Sequence, residues 1–83
     1  MNEQEVRQAL QEVLDEVAPG ADIGDVPADA DLRRELDLDS LDFLNLVVAL
    51  DERTGLTTRE EDYPKLTTIA GCVAFLNQHE RSG

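Results

Sequence analysis

Residues 36–44 read LDLDSLDFL, and this stretch decides how the chain folds. Ser40 lies between Asp39 and Asp42, and the apolar run that follows predicts a helix beginning at the serine. Asp before a helix is a preferred N-cap, because its carboxylate accepts a hydrogen bond from a free backbone N–H of the first turn. We therefore place Asp39 at the N-cap, Ser40 at the first helical position and Asp42 at the third. Ser40 then points outward, where the helix N-terminus favours a phosphate joined to its hydroxyl; the simpler alternative is that Ser40 is merely a good residue for a helix start.

The N-terminal part of the chain predicts one amphipathic helix over about residues 3–17. Asn2 and Glu5 form a capping box, and Pro19-Gly20 supplies the stop. Residues 19–39 then predict a long connection with one short helical turn over 31–36. Apolar side chains recur at helical spacing in the helix and at intervals in the connection, where we expect them to hold it to the core: Val6, Leu10, Val13, Leu14 and Val17, then Ile23, Val26, Leu32, Leu36 and Leu38.

Three further helices are predicted after residue 39, each with an apolar face. In the helix that begins at Ser40 the expected inward face comprises Leu41, Leu44, Val47 and Val48, broadened by Phe43, Leu46 and Leu50, and Gly55 ends it. Thr58 and Glu61 predict a capping box for a short helix that runs to about Tyr63 and is stopped by Pro64. Thr67 or Thr68 caps the last helix, whose core face comprises Ile69, Cys72, Val73 and Leu76.

Size and charge restrict the function. The 83 residues include 19 Asp and Glu against 7 Lys and Arg, a net charge of −12, and we expect one domain spanning 1–83. This charge argues against binding to nucleic acid or to an anionic membrane, and predicts partners with basic surfaces. A single cysteine, with no Cys/His cluster, predicts no disulfide and no metal site. The N-terminus lacks the pattern of a signal peptide and no apolar run spans a bilayer, so we expect a soluble cytoplasmic protein.

The acidic residues are unevenly distributed. Residues 35–62 hold nine acids and two bases around Ser40, whereas residues 63–83 are slightly basic. The seven acids of residues 1–28 are explained by solubility. We expect the acids of the middle third to have a purpose at the serine.

In these features the chain resembles the acyl carrier protein family. The similarity extends over about residues 3–79 and rests on Asp39-Ser40-Leu41-Asp42 at the head of an apolar helix that follows a helix and a long loop. Leu36 before the motif, Gly55 after the helix, the acidic turn 60–62 and the stretch LTTI at 66–69 fit the same pattern. The resemblance implies an all-α, acyl-carrier-protein-like bundle of three main helices plus one short helix, with a long loop between the first two main helices.

The resemblance also implies a function. A phosphopantetheinyl transferase would join 4′-phosphopantetheine from coenzyme A to the Ser40 hydroxyl, and the thiol of this arm would carry acyl intermediates as thioesters for fatty acid, polyketide or related secondary-metabolite synthesis. The chain would itself catalyse nothing and would be a monomer. Acyl-activating, ketosynthase or acyltransferase-type enzymes with basic patches would dock on the surface around the serine. The expected docking residues are Asp37, Asp39, Leu41, Asp42, Val48, Asp51, Glu52, Glu60 and Glu61, of which Val48 fits an inward position equally well.

The chain departs from the family pattern at several positions. Asp37 stands where the family usually has glycine, Asn45 where it often has glutamate, and Phe43 where a small residue is common. A frequent proline after Gly55 is missing as well. These departures lead to the hypothesis of a specialised carrier dedicated to one pathway.

Other classes explain the residues less well. An enzyme with Ser40 as nucleophile lacks a Gly-x-Ser-x-Gly turn, and the lone His79 lies near the C-terminus. A calcium loop starting at Asp37 fails at its fifth position, which is Leu41. An acidic protein-binding inhibitor or mimic without a prosthetic group fits the charge but does not require the serine motif. A peptidyl or aminoacyl carrier is the nearest alternative within the carrier class, although such carriers tend to be less acidic here and often have Gly-Gly-x-Ser before the leucine.

Overall fold

The computed structural model describes the backbone of residues 2–80 and the side chains of residues 2–78. Within that range the chain forms no strand; its helices are α1 (Glu3–Val17), α2 (Leu32–Glu35), α3 (Ser40–Thr54), a 3₁₀ helix (Glu60–Leu66) and α4 (Ile69–Glu80). The all-α prediction is confirmed, including the long connection between the first two main helices. The side chain of His79 lies outside the described residues. No helix of the described part has the length and hydropathy needed to cross a membrane.

Helix α1 begins and ends where the sequence predicts. Asn2 and Glu5 form the expected capping box, with the Glu5 backbone N–H donating to Asn2 Oδ1 over 2.8 Å. The face that α1 turns toward α3 and α4 is fully buried and consists of Val6, Ala9, Leu10, Val13 and Leu14. On the surface, Arg53 of α3 forms an ion pair with Glu12 of α1. The first helix therefore supplies the support on which the later helices pack.

The long connection is held in place by hydrogen bonds as well as by apolar side chains. Gln11 of α1 accepts from the Ile23 backbone N–H over 2.8 Å and donates to the carbonyl of Ala21 over 3.0 Å. At its far end, the Leu32 N–H donates to the Thr67 carbonyl over 2.7 Å. The side chains of Ile23, Val26, Leu32 and Leu38 are buried as predicted, whereas Leu36 is only half-buried. The connection is thus a fixed part of the fold that brings residues 36–39 to the start of α3.

The orientation of α3 corrects the sequence interpretation. Its buried side chains are Phe43, Leu46, Val47 and Leu50. Leu41, Leu44 and Val48 were grouped with Val47 on the inward face, but they are 63, 40 and 47% exposed. At 3.6 residues per turn, the two sets are centred roughly 145° apart around the helix. Helix α3 therefore buries one apolar face and exposes a second.

The segment after α3 is also built differently from the prediction. Thr58 caps no helix: its backbone N–H and its hydroxyl donate to the two carboxylate oxygens of Asp51, over 2.8 and 2.5 Å. The helix that follows is a 3₁₀ helix preceded by Arg59 without a side-chain cap, and it contains Pro64 instead of ending before it. The predicted capping box and helix end are therefore wrong. Asp51 accepts from the Thr58 backbone N–H, which a capping box would direct to the Glu61 side chain.

Helix α4 packs closely against the 3₁₀ helix. Thr68 is the cap, since its Oγ1 accepts from the Gly71 backbone N–H over 2.9 Å. Gly71 allows this approach, because a Cβ there would overlap the backbone carbonyl oxygen of Lys65. Cys72 is buried beside it as predicted, and this burial raises the pKa of its thiol to about 12.

Candidate functional site

Ser40 is an exposed residue at the first position of α3. Asp39 is the N-cap, and its Oδ1 accepts from the Asp42 backbone N–H over 2.8 Å, as the sequence predicts. The cap fixes the direction in which α3 starts, and this direction places the serine hydroxyl at the surface. The arrangement offers a nucleophilic oxygen next to backbone N–H groups at the positive end of a 15-residue helix.

The turn that leads into Ser40 has the 6→1 hydrogen bond and the left-handed residue of a Schellman motif at the end of α2. Leu36 is the C-cap, and the Leu38 N–H donates to the Arg33 carbonyl over 2.8 Å. Asp37 lies between them with φ +54°, in the left-handed region that glycine adopts most readily. Leu38 is buried and fastens the turn to the core. The residue that departs from the family pattern thus occupies the most constrained backbone position near the site.

The exposed face of α3 carries Leu41, Leu44 and Val48, which we call the apolar stripe. The stripe begins directly after Ser40 and extends along the helix for two turns. Singly exposed apolar residues are ordinary, but three in register on one helix face form a continuous surface suited to binding a protein. Leu41 and Val48 are exposed as a docking role requires. Leu44 was missed, although its spacing of three from Leu41 and four from Val48 would have placed it with them.

The acidic residues named from the sequence do not all lie free at the surface. Asp37, Asp39, Glu52 and Glu60 are exposed, while Asp42 is half-buried. Glu61 is exposed and lies 3.7 Å from Arg59, in an ion pair accessible to water. Asp51 is half-buried, and both of its carboxylate oxygens bind Thr58. Asp51 therefore holds the loop that follows α3 in place. Among the described side chains, no group of three or more His, Cys, Asp or Glu is arranged to hold a metal ion.

A groove of about 500 Å³ opens beside Ser40, between α3 and the 3₁₀ helix. Its walls include Arg33, Phe43 and Tyr63, with Glu60 at the rim. The Phe43 and Tyr63 rings meet edge to face, with centroids 6.5 Å apart and planes at 82°. The guanidinium carbon of Arg33 lies 5.6 Å from the Phe43 centroid. Arg33 and Tyr63 carry no signal of this site in the sequence, since they meet Phe43 only through the tertiary fold.

Comparison with known proteins agrees with this geometry. Residues 4–76 match the model of a family described as the phosphopantetheine attachment site. The chain is 31% identical over 80 residues to the acyl carrier protein of Rubrobacter xylanophilus, which aligns 96% of this chain with 98% of the relative. It is 32% identical over 77 residues to the acyl carrier protein of Kineococcus radiotolerans, covering 93% of this chain and 94% of the relative. An acyl carrier protein of Exiguobacterium is 29% identical over 72 residues, covering 87 and 85%.

Proposed function

The chain belongs to the acyl carrier protein family, whose members bear phosphopantetheine, and we propose that Ser40 is the residue that holds the arm. The observation that carries this proposal is the exposed hydroxyl at the N-terminus of α3, directly after the Asp39 cap. A phosphate joined there is favoured by the helix dipole and by the unpaired N–H groups of the first turn. Members of this family are carriers and not enzymes, so the chain supplies a place of attachment while other proteins do the chemistry.

The arm supplies a thiol that holds an acyl group as a thioester. We propose that this chain carries its acyl group in fatty acid, polyketide or related secondary-metabolite synthesis in the cytoplasm, and that it is a monomer dedicated to one pathway. The departures at Asp37 and Phe43 support the last point, since both lie at the site: Asp37 in the turn before Ser40 and Phe43 in the wall of the groove. Efficient loading and elongation by a general fatty acid synthase would contradict the dedicated role.

Docking of partner enzymes is proposed for the surface around Ser40. The apolar stripe offers area that a partner can bury, and exposed acids lie around it: Asp37, Asp39, Glu52, Glu60 and Glu61. Exposed charges of this kind raise the rate of encounter with a basic partner and add little affinity. The expected partners are the phosphopantetheinyl transferase and acyl-activating, ketosynthase or acyltransferase-type enzymes. Asp42 contributes less to this surface because it is half-buried, and Asp51 because it is bound to Thr58.

Incubation with coenzyme A and a broad-specificity phosphopantetheinyl transferase tests the attachment. The Ser40 oxygen displaces 3′,5′-ADP from coenzyme A and its proton is released, so intact-mass measurement should show the gain of one phosphopantetheine. Ser40→Ala should show none and should melt at nearly the same temperature, because Asp39 still caps α3. A gain on Ser40→Ala, or none on the original chain, would contradict the proposal.

Thiol labelling provides a second readout of the same reaction. Cys72 is the only cysteine of the chain, it is 1% exposed, and its pKa of about 12 keeps it protonated near neutral pH. Because thiolates are the reactive species, a maleimide should label the folded chain only after the arm has been attached. Rapid labelling before the transferase reaction would show that Cys72 is accessible.

A further inference from the structure

One wall of the groove beside Ser40 is formed by the rings of Phe43 and Tyr63 together with Arg33, and Leu44, Pro64 and Thr67 complete the lining. Phe43 is 6% exposed, with the guanidinium of Arg33 over its face and the edge of Tyr63 against it. Phe43 belongs to the same buried hydrophobic cluster as Leu46, Val47 and Leu66. We call Arg33, Phe43 and Tyr63 the aromatic wall.

On the side of the groove lined by Phe43, a long alkyl chain can enter the protein interior only if this buried ring moves. Protein interiors are packed as densely as organic crystals. Moving a buried ring therefore creates a clash or a void, and either is unfavourable. Phe43 is also held from two sides, by Tyr63 and by Arg33. The aromatic wall therefore limits a bound acyl group to the groove itself.

The charged residues around the groove further restrict which acyl groups can bind in it. Arg33 is bound to Asp31, with Nη2 3.1 Å from Oδ2 and Nε 3.3 Å from Oδ1, so its positive charge is paired with a carboxylate before any acyl group arrives. Glu60 lies on the rim and Asp39 directly precedes Ser40. An acyl group that carries a carboxylate would meet these acids. An uncharged aromatic group would add edge-to-face and offset contacts to Phe43 and Tyr63, at the ring spacing that such pairs favour.

We propose that Arg33, Phe43 and Tyr63 determine specificity, so that the groove accepts a short, uncharged aromatic acyl group in preference to a long alkyl chain. The inference rests on the proposed function, because an arm on Ser40 begins at the mouth of this groove and keeps the acyl group within reach. It names the cargo class that the family relationship leaves open.

The test loads Ser40 with acyl-arms transferred whole from benzoyl-coenzyme A or octanoyl-coenzyme A, and intact mass verifies each product. Tyr63 is the only tyrosine and the chain has no tryptophan, so intrinsic fluorescence reports on the groove alone. The benzoyl form should change the Tyr63 emission relative to the form with the bare arm. Its thioester should also hydrolyse on the order of threefold more slowly than free benzoyl-pantetheine, because bound cargo is shielded. The octanoyl form should show neither effect.

Two variants distinguish an effect of the aromatic wall on acyl-group specificity from a general loss of protein stability. Tyr63→Leu should abolish the protection of the benzoyl thioester. Phe43→Ala should open the wall, so that its octanoyl form melts at a higher temperature than its form with the bare arm. Phe75→Leu is the matched control, since it removes a buried aromatic ring of α4 that does not line the groove; it should leave benzoyl protection unchanged. Protection of octanoyl equal to that of benzoyl, protection of neither, or full benzoyl protection in Tyr63→Leu would overturn the inference. A missing mass gain would instead contradict the proposed function.

Discussion

At the scale of single residues, Asp37 has an unfavourable backbone conformation that glycine at the same position would relieve. It holds φ +54° at the C′ position of a Schellman motif, where a Cβ is unfavourable and glycine is usual. Glycine loses more entropy on folding, which offsets part of the gain. We expect Asp37→Gly to raise the free energy of unfolding by about 0.5–1 kcal/mol, measured by urea denaturation followed by circular dichroism.

Asp37→Ala is the control for this substitution. It removes the carboxylate but keeps the Cβ at the same φ, so it should be no more stable than the original chain. If Asp37→Ala stabilised the fold as much as Asp37→Gly, the gain would come from removing a negative charge beside Asp39 and not from relieved backbone strain.

The residue scale also shows which parts of the site the sequence could predict. Asp39 and Ser40 were placed correctly because a helix cap acts over three residues, so its signal is contained in the motif. Asp37 stands where the family usually has glycine, but its positive φ became known only from the structure. The aromatic wall was not predictable in this way, since Arg33 and Tyr63 lie ten and twenty residues from Phe43 along the chain and meet it only after folding.

At the scale of the helices, the approach of α4 to the 3₁₀ helix depends on Gly71. Helix propensity alone predicts that alanine in place of an interior helical glycine stabilises by about 1 kcal/mol. Here the added Cβ would overlap the Lys65 carbonyl oxygen and lie 3.0 Å from Thr68 Oγ1. The clash involves backbone and cannot be relieved by a rotamer, so overpacking should prevail over propensity.

We therefore expect Gly71→Ala to lower the free energy of unfolding by about 1–3 kcal/mol, despite its better propensity. Chemical denaturation measures the change. Ala74→Gly on the exposed side of α4 is the propensity control and should cost about 1 kcal/mol. A stabilised Gly71→Ala chain would show that the two helices can separate at this point without loss.

The helix ends were predictable only where local signals had no competitor. Asn2 and Glu5 formed their capping box as expected, because each binds the backbone N–H of the other within a single turn. Thr58 and Glu61 have equivalent spacing, but Asp51 at the end of α3 takes both Thr58 donors. A carboxylate seven residues away in the chain thus overrides a local cap. Sequence alone was insufficient for α3 as well, because its exposed apolar face could be recognised only once its buried face was known.

At the scale of the whole molecule, the charge of −12 has two opposing effects. Mutual repulsion among the acids destabilises the compact state, while the same field should attract the proposed basic partners and raise the rate of encounter. Salt at physiological ionic strength screens exposed charges beyond about 8 Å, so it should weaken both effects. One variable therefore separates the contribution of charge to folding from its contribution to docking.

Raising sodium chloride from about 0.01 to 0.5 M should raise the melting temperature and slow the loading of Ser40. A rise of roughly 5 °C corresponds to about 1 kcal/mol for a domain of this size. Calorimetry measures the first change and the initial rate of mass gain the second, with magnesium held constant for the transferase. Matching ionic strength with magnesium chloride in the melting series separates screening from binding of the ion, since an equal rise is what screening alone produces. A melting temperature that falls with salt would show that ion pairs such as Arg53 with Glu12 outweigh the repulsion, and a loading rate indifferent to salt would assign docking to the apolar stripe alone.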